Sequence, residues 1–141
     1  MKKLLFLFCA FFALNLSAQQ QSTFDSRLLF RYEAEFLENL YRTNPSKLDY
    51  LNFYVENSYS LHQLVEIPAE KLSQFPDILE LINLPENYTL PKTIDQSNFN
   101  ILLFDIVFKE NQSSTYRIGD SNILVYLKSK NEIYTLFNEI N

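Results

Sequence analysis

Residues 98–127 read NFNILLFDIVFKENQSSTYRIGDSNILVYL, and the way this stretch is divided into strands decides the fold. Its first part, NFNILLFDIVFKE, is the longest apolar run outside the N-terminus. An unbroken apolar run predicts a central strand with both faces covered. Two shorter strands follow, Thr115–Ile118 and Ile123–Leu127, separated by Gly119, Asp120, Ser121 and Asn122, which is the signature of an antiparallel hairpin. Downstream, Ser129 with Glu132 three residues later forms a capping box ahead of Ile133, Leu136, Phe137 and Ile140, so a helix should end the chain.

Working back from this stretch, residues 84–98 carry two prolines and no period, and read as a long connection. Pro68 and Pro76 each open a short helical turn. Tyr59 to Ile67 alternates apolar and polar residues, predicting a half-buried strand that ends at Pro68. Asn44 and Pro45 mark an N-cap and first helical position, with Leu48, Leu51 and Val55 facing inward. Tyr50, Phe53 and Tyr54 widen that apolar surface as core rather than as a binding stripe. Residues 22–42 place Leu29, Tyr32, Phe36, Leu37, Leu40 and Tyr41 at helical spacing, with Ser22 as cap and Asp25 three residues on. Glu35 and Glu38 lie on the solvated side, and Glu38 can pair with Arg42.

The predicted architecture is α+β: two N-terminal helices, a small antiparallel β-sheet of about four strands and a C-terminal helix. This order resembles the cone-shaped folds of the NTF2-like kind, which implies helices laid on a curved sheet. No sequence motif carries the resemblance, so it transfers no site residue.

The N-terminus adds a cellular address. Lys2 and Lys3 precede an apolar run from Leu4 to Leu14, and Ala18 before Gln19 is a small residue suited to cleavage, the anatomy of a secretory signal peptide. The run is too short to span a bilayer, which takes about 20 apolar residues. Residues 1–18 are therefore read as a leader and 19–141 as one domain, secreted or periplasmic, meeting the membrane only through the leader before cleavage. Cys9 is buried in the apolar run rather than following small residues, which disfavours lipidation. The composition, rich in Asn, Ile, Phe and Tyr and poor in Gly and Ala, resembles small secreted proteins of AT-rich bacteria.

Cleavage removes 18 of 141 residues and leaves 123, enough for a packed core. It also removes the only cysteine, so disulfides, thiolate metal sites and cysteine nucleophiles are excluded from the mature chain. Loss of Lys2 and Lys3 shifts the net charge from −5 to −7. Nucleic-acid binding needs clustered cations, and the closest cluster beyond the leader is Lys128 with Lys130. Gly119 is the single glycine, so phosphate loops, dinucleotide fingerprints and nucleophile elbows cannot be built. One histidine excludes two-histidine metal centres. No cofactor, metal or catalytic constellation is predicted.

Two residues remain as ligand-binding candidates. Asp105 interrupts the apolar run and, if buried, would carry a raised pKa and could grip a cation or donate a proton. Alternatively it guards a strand edge or pairs with Arg117. His62, beside Ser60 on the predicted strand, is the only neutral-range base. Asn87-Tyr88-Thr89 and Asn111-Gln112-Ser113 match glycosylation acceptors; if the source is bacterial, as the composition suggests, they are chance matches in an Asn-rich chain. The readings in order are a non-enzymatic protein-binding or envelope-associated module, a small-ligand domain with a pocket between sheet and helices, and an enzyme.

Overall fold

A computed structural model describes residues 23–65 and 68–140. The leader, with the predicted cleavage between Ala18 and Gln19, and the Ser22 cap lie outside the described residues. Among the described residues, four α-helices and a three-stranded antiparallel sheet make up an α+β fold, joined by several 3-10 turns. The helices are α1 (Ala34–Thr43), α2 (Pro45–Asn57), α3 (Ala69–Leu72) and α4 (Lys130–Ile140). The strands are β1 (Tyr59–Gln63), β2 (Ser114–Arg117) and β3 (Ile123–Leu127), in the order β1-β3-β2. No described helix is long and apolar enough to cross a membrane.

Local chemistry explains most boundaries. The N-terminal helical pattern divides in two: Asp25 accepts from Arg27 N and starts a 3-10 turn at Ser26–Phe30, and α1 begins only at Ala34. Asn44 Oδ1 accepts from Lys47 N at 3.2 Å, and Pro45 follows as the first residue of α2. Pro lacks the N–H that would have no partner there. At α4 the capping box is reciprocal: Ser129 N donates to Glu132 Oε2 at 2.6 Å and Glu132 N donates to Ser129 Oγ at 3.2 Å. Two further amides of that end, Lys130 N and Asn131 N, donate to Lys109 O and Glu110 O, anchoring the helix to the chain that leads into β2.

The expected strand across 98–110 does not form, which is why the sheet has three strands. Asn100, itself buried, accepts from Leu102 N through Oδ1 at 3.0 Å and opens a 3-10 turn at Ile101–Leu103. A side chain that satisfies nearby amides in this way competes with a strand ladder. The chain then runs extended, with one bridge between Ile82 and Phe104 and a 2.7 Å bond from Asp105 N to Leu81 O. It is apolar because it packs on other segments, not because strands flank it.

The centre of the sheet is β3, whose Ile123, Val125 and Leu127 are buried while Leu124 and Tyr126 sit on the opposite face, half-buried. Around that inner face gather Ile78, Ile94, Phe99, Ile101, Leu103, Phe104 and Ile118. A second cluster, Leu28, Leu37, Leu40, Leu48 and Val55, joins the N-terminal elements, and Tyr54 and Leu102 pack against both. A fully buried side chain such as Leu37 or Val55 is worth about 1.5–3 kcal/mol relative to exposure. The aromatic stripe of α2 is half-buried: Tyr54 packs against both clusters, and Phe137 of α4 stands edge-on to Tyr50 and Phe53, with ring centroids 5.2 and 5.3 Å away.

Candidate functional site

Asp105 is exposed, not buried. It alternates with buried Phe104 and half-buried Ile106 on an extended segment, so its carboxylate shares the solvent side with Val107, which is 87% exposed. Nor does it pair with Arg117, whose Nη1 lies 3.0 Å from Asp77 Oδ2. His62 is exposed on the outer face of β1, where its Nε2 is 2.9 Å from Ser60 Oγ. Among the described residues no carboxylate is bonded to that imidazole to orient it, the third element of an activated nucleophile. Among the described residues no group of three or more His, Cys, Asp or Glu is placed to hold a metal ion.

The charged groups that are partly buried hold the fold together. Asp77 caps Leu79 N at 3.0 Å, accepts from Gly119 N at 2.9 Å and pairs with Arg117, whose Nη1 also donates to Gly119 O at 2.6 Å. This ties the 76–81 turn to the β2–β3 hairpin. Arg27 forks onto Asp25 at 2.6–3.2 Å, holding the Asp25 carboxyl below its ordinary range, and Nη1 reaches Tyr59 OH at 3.3 Å. Burial pushes the Tyr59 phenol up. Lys128 Nζ donates to Asn57 O at 2.7 Å, placing a cation at the C-terminal end of α2, where the helix dipole favours one. Burial lowers its pKa.

Two open concavities lie on the surface. One, of about 440 Å3, is lined by Asn111, Lys128, Ser129, Glu132, Leu136 and Glu139 among others, where α4 begins. The other, of about 520 Å3, lies along α1 and is lined by Glu33, Glu35, Phe36, Glu38, Asn39 and Arg42. Neither includes Asp105 or His62.

The α1 concavity has the chemistry of a recognition surface. Leu37 and Leu40 spend the buried stripe of the helix, leaving Phe36 on its flank 41% exposed. Tyr32 stacks on Phe36 with centroids 5.5 Å apart and planes at 18°, which fixes the ring in place. Three carboxylates and Arg42 border it, Arg42 lying 3.7 Å from Glu38. The sequence pattern assigned Phe36 inward. The usable signal was the excess width of the apolar arc on α1: Phe36, Leu37, Leu40 and Tyr41 compete for a stripe that the two leucines fill.

No protein-family model matches the chain, and no curated protein or solved structure matches it either.

Proposed function

We propose that the chain is a small exported protein, secreted or periplasmic once residues 1–18 are removed, that acts by binding another protein in the envelope or outside the cell and not by catalysis. The observation that carries this reading is the exposed Phe36 ring, pre-positioned on Tyr32 within an acidic border. Rigid aromatic anchors inside polar rims dominate the energetics of protein interfaces. The acidic border and the net charge of −5 favour a basic partner and speed its approach.

The test is affinity capture from envelope extracts with the native chain, Phe36→Ser and Tyr134→Ser, the last altering an exposed aromatic on α4 far along the sequence. Capture that survives Tyr134→Ser, weakens with rising salt and falls at least tenfold with Phe36→Ser supports the reading. Equal recovery with Phe36→Ser, or no recovered partner from any extract, refutes it. A small-ligand function would not use Asp105 or His62 at either of the two concavities described, since neither residue lines them.

A further inference from the structure

The two edges of the sheet are not equivalent. On the β1 side, Lys128 N donates to Ser58 O at 2.9 Å and Leu64 N to Asn122 O at 2.8 Å. Combined with the register Tyr59↔Leu127 through Gln63↔Ile123, the alternation of an antiparallel ladder directs the main-chain groups of Ser58, Ser60, His62 and Leu64 toward β3. Those of Tyr59, Leu61 and Gln63 point to the open edge. Lys128 Nζ donates to Tyr59 O at 3.4 Å, so among the described residues the amides and carbonyls of Leu61 and Gln63 form the free set.

On the β2 side the same reasoning turns Thr115 and Arg117 outward, because Ile118 N bonds Ile123 O at 3.2 Å. Here the edge is occupied: Arg117 N donates to Pro76 O at 3.0 Å, and Asp77 bridges Arg117 in parallel. Proteins ordinarily guard edge strands with lysine, proline or a bulge. Residues 59–65, YSLHQLV, contain neither lysine nor proline, pair without a bulge through Gln63, and carry no Asp, Glu or Arg in a chain of net charge −5. Val65, just past the strand, is 84% exposed.

We propose that β1 pairs antiparallel with β1 of a second copy, giving a two-fold dimer with a continuous six-stranded sheet, β2-β3-β1 joined to its mirror order. The free set fixes the register: Leu61 exchanges both main-chain bonds with the partner's Gln63, and the axis passes beside His62, which faces the partner's His62 as a non-bonded pair. A second copy suits this edge because an uncharged strand meets no like charge in itself, whereas the acidic surfaces elsewhere repel one another. Since residues 76–77 occupy the other edge at Arg117, that edge is partly blocked to a further copy, which favours two copies over a filament. The inference goes beyond the proposed function and does not use Phe36.

Sedimentation velocity of the full chain purified after export, from micromolar to millimolar concentration, tests it, together with hydrogen exchange at single amides. A concentration-dependent dimer is expected, with the Leu61 and Gln63 amides protected only in the dimer. Gln63→Pro deletes a donor on the open edge without touching the β3 ladder, and symmetry counts the loss twice, so the dimer Kd should rise roughly thirty-fold. His62→Asp, at an exposed position, sets two carboxylates opposite one another and should also loosen the dimer. Unchanged far-ultraviolet circular dichroism in both variants confirms that the subunit has folded. A monomer at every concentration, a dimer indifferent to both variants, or equal exchange of the two amides in monomer and dimer overturns the inference. A monomer that still captures a partner through Phe36 overturns it while leaving the proposed function intact.

Discussion

Asp77 offers the sharpest test of how the hairpin is secured. Its side chain is 13% exposed, that of Arg117 24%, and Arg117 Nε is buried without a partner. Replacement by alanine removes the cap on Leu79 N, costing about 1 kcal/mol, and strands the Gly119 amide, costing about 1 kcal/mol more. It also leaves a half-buried guanidinium without its counter-ion, for about 1–2 kcal/mol after allowance for the remaining solvent. The expected loss is therefore about 3–4 kcal/mol, a large share of the roughly 5–15 kcal/mol that stabilises a typical domain. Replacement by asparagine keeps an acceptor for both amides and loses only the charge, so Asp77→Asn should cost about 1–2 kcal/mol. Urea unfolding with linear extrapolation measures each difference, provided the m-value is unchanged. In an Arg117→Met background no charge is stranded, and the Asp77→Ala cost should fall to about 2 kcal/mol. A loss below about 1 kcal/mol, equal costs for alanine and asparagine, or full additivity with Arg117→Met would refute the clamp.

Three further outcomes follow from other local contacts. Bonds from Ser129 N and then Ser113 Oγ hold Glu132 below its ordinary pKa of 4.5. Its contribution is thus complete at neutral pH and lost as pH falls through the lowered value; the stability gap between the native chain and Glu132→Gln should close on acidification, and a gap constant to low pH would contradict this. Ser129→Ala should cost about 1 kcal/mol by equilibrium unfolding. Gly119 has φ +51°, and an added Cβ would lie 3.1 Å from Leu79 Cδ1, so Gly119→Ala should destabilise by about 1–2 kcal/mol; a neutral result in thermal unfolding would remove the strain argument.

What the sequence revealed was chemistry settled by near neighbours. Asn44 before Pro45, Ser129 with Glu132, and Gly119 inside the hairpin each state their structure within a few residues, because caps and turns are satisfied locally. What it concealed depended on distant segments. Asn100 could open a turn or sit in a strand, and only the bonds from Asp105 N to Leu81 O and Asn83 N to Leu103 O show that the apolar run wraps the core rather than crossing it. Arg117 had acidic residues upstream from which to choose, and the chain path at Pro76 selected Asp77 over Asp105. Apolar sequence neighbours left the burial of Asp105 open, and alternation along an extended segment, which sends every second side chain outward, puts it on the less buried side. Phe36 was hidden in the same way, by a helical pattern broader than the stripe it serves.

The placement of β3 also sets a schedule for folding. β1 and β2 each pair only with β3, and β3 ends at Leu127 of a 141-residue chain. While the polypeptide is being made, its earlier strands have no mate, and the closure of β1 onto β3 must span some sixty residues, a slow step. A chain assembled in this order holds β1 and β2 without their mate until β3 has been made.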